Sequence, residues 1–326
     1  MSEGNGSKQL MEQHDLEQRV LGRTGLKVTT MGLGAGGKSR AGLSNGEDQA
    51  TLIVRRALEL GVNLVDTAES YGTEPAVAKA LREVPRELVI LSTKLSYRTS
   101  ERLRTDEQLH QAIDDRLGRL NTDYIDILHL HGVRAYDYGE VRSRFVPIME
   151  RAREDGKIRF LAISEQFGGD TGHIMLQQAV NDECWDVMMV GIHLLNHSAC
   201  PRVIEPAKKR GIGLLAMFAV RGAMRSETVL REYLTKQVEA GKTKLNPEQV
   251  CQEIAEIVEE AGASSLPDLA YRFVRDATGM DTVLVGTGNV QHLESNVETF
   301  RRAPLPQSLH KRLMSIAGDE DTITLQ

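Results

Sequence analysis

Asp66, Tyr71, Lys94 and His131 are residue types that move protons and charge, and each sits at or just beyond the end of a short apolar run. Asp66 lies near the end of NLVDT (63–67), Lys94 closes LVILSTK (88–94) and His131 closes IDILHLH (125–131). Tyr71 follows Asp66 in the turn DTAESYG (66–72). Taken singly, each has a plain structural use: an Asp caps the next helix, a Lys reaches solvent along its stem, and a Tyr or a His packs in a core. At the ends of consecutive strands the four converge on one mouth. A buried lysine needs a counter-charge, which Asp66 can supply, and its ammonium favours the phenolate form of a neighbouring tyrosine. At an effective dielectric of about 20 and a separation near ~4 Å, that attraction is about 4 kcal/mol before desolvation offsets part of it. A phenol ordinarily near ~10 is thereby drawn towards neutrality. Such a group exchanges a proton at an oxygen, as carbonyl reduction or alcohol oxidation requires.

The elements that must hold these residues are read from a repeated pattern of short apolar strand, polar turn and amphipathic segment. Eight strands are expected: TMGLG (30–34), NLVDT (63–67), LVILSTK (88–94), IDILHLH (125–131), RFLAIS (159–164), VMMVGI (187–192), GLLAMF (213–218) and TVLVGT (282–287). Helical spacing recurs between them, as in DQATLIVRRALEL before Gly61 and EQLHQAIDDRLGRL before Asn121. The pattern predicts an α/β fold, a closed (β/α)8 TIM barrel over 18–326, whose functional face is the C-terminal end of the strands. RVLGRTGLKV reads as an N-terminal β-hairpin, and residues 1–17 as a disordered leader. Long connections are expected after strand four (132–146) and strand seven (219–265). The second holds an extra helix with Asn246 as cap, Pro247 at its first position and Gly262 as its stop.

Composition narrows the function classes. A chain of 326 residues, 40% hydrophobic, with net charge −6, offers no global attraction to nucleic acid or to anionic lipid. The three cysteines, Cys184, Cys200 and Cys251, have no metal or disulfide spacing, and no apolar stretch reaches membrane-spanning length. With a polar N-terminus lacking a signal-peptide core, the chain is expected in the cytoplasm.

LGRTGLKV (21–28), NLVDTAESYG, STK, DYIDILHLH and VLVGTGNVQHLESN (283–296) resemble, in this order, the motifs of the aldo-keto reductase superfamily across nearly the whole chain. The resemblance implies a reaction in which hydride passes between a nicotinamide cofactor, NADP(H) or NAD(H), and a small aldehyde, ketone or sugar. It implies that Tyr71 is general acid or base, tuned by Lys94, that Asp66 pairs with Lys94, and that His131 orients the substrate oxygen or shares in proton transfer. Cofactor contacts are expected from Gly34, from Ser164 and Glu165, from Met217 and Phe218, and from Gly286, Thr287, Gly288 and Asn289. The last four can present backbone N–H groups to a phosphate at a helix N-terminus. His292, Glu294 and Asn296 fall at the adenine end. The chain departs from the family in several places: Gly288 stands where a cation commonly meets the adenosine 2′-phosphate, Glu165 where an Asn is usual, Met189 for a Gln and Ile192 for a Tyr. An ionised Glu165 accepts from a carboxamide NH₂ but cannot donate to its oxygen. Both NAD and NADP therefore stay open.

Two other readings compete. His129 and His131, at i and i+2, share one strand face and could hold a metal in a barrel hydrolase, with His193 and His197 as further candidates. A cofactor-binding regulatory or sensor protein on the same fold would explain the altered nicotinamide pocket. Tyr136, Tyr138, Arg142 and Arg144 are candidate contacts to a polar or anionic substrate; substrate identity and oligomeric state are not encoded in any motif.

Overall fold

A computed structural model describes residues 16–37 and 39–326. The expected leader lies outside the described residues up to position 15. Its last two positions belong to the fold, because Leu16 is buried and the Glu17 carbonyl accepts from the Thr30 N–H.

The hairpin forms as expected, β1 (Gln18–Val20) pairing antiparallel with β2 (Lys27–Thr29). The eight barrel strands are β3 (Met31–Gly34), β4 (Leu64–Asp66), β5 (Ile90–Leu95), β6 (Ile125–Val133), β7 (Ile158–Glu165), β8 (Val187–Gly191), β9 (Gly213–Met217) and β10 (Thr282–Val285). All pair in parallel in chain order, and β10 closes on β3. Their runs are almost wholly apolar because both faces are covered. Alternation splits them into two cores. Leu64, Ile90, Ile127, Ala162, Val187, Met189 and Leu215 fill the barrel, and their neighbours pack under the helices.

The hairpin plugs the barrel floor. Leu21, Leu26 and Val28 join the interior cluster. The plug is tight enough that a Cβ on Gly213 would lie 2.6 Å from Leu21 Cγ, and one on Gly22 would lie 2.3 Å from the Gly213 nitrogen. Only glycine fits at either position. Gly213 opens β9, so the plug seals the N-terminal end and leaves the opposite mouth for chemistry.

The helices in chain order are α1 (Glu47–Glu59), α2 (Glu74–Leu81), α3 (Asp106–Leu120), α4 (Tyr138–Glu154), α5 (Ile174–Ala179), α6 (Glu205–Lys209), α7 (Glu227–Glu239), α8 (Pro247–Glu260), α9 (Leu266–Arg275), α10 (Val290–Arg301) and α11 (Gln307–Ala317). Helix α3 illustrates the local logic. Thr105 and Gln108 form a reciprocal capping box at its start, and Asn121, at φ 49°, ends it. Its buried stripe is Leu109, Ala112, Ile113, Arg116 and Leu120, an arginine standing where the helical period calls for an apolar residue.

Two connections differ from expectation. The gap after the fourth barrel strand is short, because β6 runs to Val133 and α4 begins at Tyr138. Val141, Phe145, Ile148, Met149 and Ala152 recur at helical spacing and pull this stretch onto the core. The connection after β9 is long, but it carries two helices, α7 and α8. Asn246 caps α8 by accepting from the Glu248 and Gln249 N–H groups, and Gly262 follows it at φ 58°.

Candidate active site

The C-terminal ends of β4, β5 and β6 bring three predicted residues to one side of the mouth. Asp66 and Lys94 form an ion pair with 2% and 1% of their surfaces exposed, dry enough that neither charge could stand alone. Each partner has a further hydrogen bond: Lys94 Nζ donates to the Thr67 carbonyl at 2.9 Å, and Ser92 Oγ donates to Asp66 Oδ1 at 2.8 Å. Burial works against the Lys94 charge, but Asp66 and Tyr71 outweigh it and hold the ammonium above its usual range. Burial pushes the Asp66 carboxyl up, and Lys94 pulls it back in part.

The turn after β4 returns Tyr71 over this pair. Lys94 Nζ lies 5.0 Å from the centre of its ring, and His131 meets that ring edge-on at 5.6 Å. On its other side the ring lies against bare backbone; a Cβ on Gly36 would come within 2.3 Å of Tyr71 Cε2. His131 sits where β6 shifts register against β7, with Gly132 at φ 63° turning the strand end. Burial first, then the Lys94 charge, pull the His131 pKa down to about 3, so its ring is neutral at pH 7. The arrangement sets a phenol, which can exchange a proton, beside an uncharged imidazole, which can hydrogen-bond an oxygen.

Residues 30–317 match the sequence pattern of the Aldo/keto reductase family. The chain belongs to this family. Over 316 residues it is 28% identical to an L-galactose dehydrogenase of Arabidopsis thaliana, spanning 95% of this chain and 92% of that protein. It is 22% identical over 303 residues to the NADH-specific methylglyoxal reductase of Escherichia coli (strain K12), spanning 85% and 91% of the two chains. The holo form of an aldo-keto reductase from Bacillus halodurans shares its fold at a TM-score of 0.73 and 22% identity, over 94% of this chain and 97% of that one. This aldo/keto reductase is an NAD(P)-dependent oxidoreductase for carbonyl or sugar substrates.

The expected cofactor residues of this aldo/keto reductase divide into two groups. Gly286, Thr287, Gly288 and Asn289 form a turn at the N-terminus of α10, with Asn289 capping it through the His292 N–H. Bare backbone at the start of a twelve-residue helix suits a phosphate. The loop after β3 packs against the turn: a Cβ on Gly288 would lie 2.7 Å from Gly42 Cα, and Gln49 Nε2 donates to the Gly288 carbonyl at 3.1 Å. His292 is exposed and Asn296 half-buried, while Glu294 is engaged by Arg56 at 2.7 Å. Gly34 ends β3 half-buried beside Asp66.

At the opposite side of the mouth, alternation sends Ser164 and Glu165 to different faces of β7. Ser164 Oγ accepts from the Gly132 N–H at 2.9 Å. Glu165 is committed within the fold, its carboxylate meeting His173 Nδ1 at 2.9 Å and accepting from the Gly191 N–H at 2.7 Å. It is turned away from the barrel interior, where a carboxamide contact had been expected. Met189 and Ile192 are likewise buried. Met217 and Phe218 are half-buried at the end of β9. Phe218 holds φ 72°, a left-handed conformation that costs a bulky residue on the order of 1–3 kcal/mol, and its ring packs 5.7 Å from that of Phe167.

Arg221 was not singled out from sequence. Its guanidinium stacks over Phe218 at 4.1 Å and donates to the Thr324 carbonyl at 3.0 Å and to Gln326 Oε1 at 2.9 Å. Among the described residues its hydrogen-bond partners are neutral oxygens, and burial lowers its pKa. A half-buried cation without a carboxylate partner, following β9 where the neighbouring β10 leads into the glycine turn, fits an anionic cofactor. The signal in sequence was its place just after a strand end.

Other expected residues serve the scaffold. Tyr138 is buried, pairing with Asp182 and accepting from Trp185 Nε1; Arg142 also meets Asp182. Arg144 pairs with Glu140 and Asp106. Tyr136 remains exposed at the mouth, accepting from Arg134. His129 lies in the barrel below Lys94, fully buried, with neither ring nitrogen hydrogen-bonded. Among the described residues no three His, Cys, Asp or Glu side chains gather around a common point. His193 and His197 instead bind the carbonyls of Ile323 and Met314, and burial lowers the pKa of both.

Proposed function

We propose that Tyr71 gives a proton to, or takes one from, the oxygen of a small hydroxylated carbonyl compound, with NAD(H) as the preferred cofactor. The carrying observation is the dry Asp66–Lys94 pair, whose retained ammonium lies 5.0 Å from the Tyr71 ring centre. Lys94 stabilises negative charge on the phenol oxygen as the proton leaves, and Asp66 keeps Lys94 charged and in place. Neutral His131 holds the substrate oxygen at Tyr71 rather than supplying a proton itself. The nicotinamide, when bound, gives or receives the hydride at the carbon bearing that oxygen. Gly286 to Asn289 and Arg221 would hold its phosphates, and Phe218 would offer the apolar surface for its ring.

The NAD preference is supported by what fills the 2′-phosphate end. Gly288 has no room for a side chain beside Gly42, and the nearby Arg56 is neutralised by Glu294 and Glu59. A dianionic phosphate there meets a carboxylate instead of a free cation. The sugar reading is supported by likeness to the L-galactose dehydrogenase over 95% of the chain. Three free cysteines point to a reducing compartment, and we place the protein in the cytoplasm. Fluorescence titration with NADH and NADPH, followed by a panel of sugars and aldehydes, checks the reading. NADH is expected to bind at least about tenfold more tightly, a difference of about 1.4 kcal/mol. Equal or tighter NADPH binding contradicts it.

A further inference from the structure

Tyr71 lies on an irregular turn, yet its position must be fixed to a fraction of an ångström for proton exchange. The flanking acids supply the fixing points. Glu69 is held to β5 twice, its N–H donating to the Lys94 carbonyl at 3.0 Å and its Oε2 accepting from the Ser96 N–H at 3.0 Å. Glu74, the first residue of α2, is 2% exposed and accepts from Thr93 Oγ1 at 3.2 Å. Arg116 on α3 reaches both. Its NH1 lies 3.3 Å from Glu69 Oε1 and its Nε 3.1 Å from Glu74 Oε1, with only 3% of the residue exposed. Neither nitrogen is aligned for a directed hydrogen bond, so the bridge is electrostatic. Arg104 adds a second cation to Glu69 at 2.7 Å.

An apolar residue at position 116 would complete the buried stripe of α3 at no cost in desolvation. A guanidinium there must be matched by acids, and both acids belong to the segment that carries Tyr71. We infer that Arg116 is a positioning residue for the reaction, clamping Glu69 and Glu74 on either side of Tyr71 so that the phenol stays registered on Lys94. The inference rests on Tyr71 being the proton-exchanging group. It predicts a defect in turnover with little change in the affinity of either ligand.

The test is Arg116→Met, with kcat counted per cofactor-binding site so that unfolded protein drops out. Glu69→Gln serves as a second variant, since it removes the charge while keeping an acceptor for the Ser96 N–H. Both should lose about tenfold or more in kcat while KM and the NADH Kd stay within about twofold, as expected for misplacement of a reacting group. In a Tyr71→Phe background, Arg116→Met should add less than about twofold, because the group it positions is gone. Wild-type kcat in both single variants, or the full loss repeated in the Tyr71→Phe background, overturns the clamp. If Tyr71→Phe itself keeps wild-type turnover, the role assigned to Tyr71 fails and the clamp falls with it.

Discussion

At the scale of single residues, burial decides roles that residue type leaves open. His131 was read from sequence as either orienting the substrate or sharing its proton. A pKa of about 3 keeps its ring neutral at pH 7, which supports the orienting role proposed above. The same depression links the site to stability. Below the unfolded-state value of about 6.5 the unfolded chain binds a proton that folded His131 refuses, so its contribution is intact above that pH and is lost as pH falls towards 3. Comparison with His131→Gln isolates this from Asp281, whose pKa of about 6, raised by burial, acts in the opposite direction. Relative to the variant, the wild type should lose about 2 kcal/mol between pH 6.5 and 4.5, measured by urea unfolding. A constant difference over that range would show that His131 titrates normally. Asp66, Tyr71, Lys94 and His131 were legible because each ends or follows an apolar run. Glu69 was not; read as a turn residue, it holds Lys94 and Ser96 through partners that only folding brings near.

At the scale of elements, the strands were readable almost to the residue because a parallel barrel buries both faces of each run. Direction was harder. Ser164 and Glu165 are adjacent, but one faces the barrel and the other its neighbour Gly191, a parity that depends on where β7 begins. The stretch after β6 looked like a loop because arginines and tyrosines mask its helical period, whereas the buried Val141, Phe145 and Met149 settle it as α4. The hairpin was visible, but its use as a floor was not, since nothing local says that Leu21 will meet Gly213. Leu21→Ala should therefore cost about 2–5 kcal/mol of stability and lower Tm, while kcat per cofactor-binding site stays within about twofold. A large loss of kcat in the folded variant would mean that the floor, far from the mouth, also shapes the site.

At the scale of the whole molecule, the barrel separates its tasks by end. The hairpin seals the N-terminal end, while the Asp66–Lys94 pair, Tyr71 and His131 gather at one side of the other. Phe218, Arg221 and the glycine turn before α10 come from later strands, so under the proposed function most of the cofactor's contacts come from the second half of the chain and the proton-exchanging group from the first. The cofactor end was the least legible part. Its shape depends on Gly42 closing against Gly288, a contact between loops 246 residues apart, and on Arg56 being claimed by Glu294. That division lets one substitution address the central claim. In Tyr71→Phe, measured by single-turnover kinetics beside a cofactor titration, turnover should fall by about 10²-fold or more, within the usual span for loss of a general acid or base, while the NADH Kd changes less than about twofold. Turnover within about tenfold of wild type with the cofactor still bound would contradict the assignment of the proton step to Tyr71.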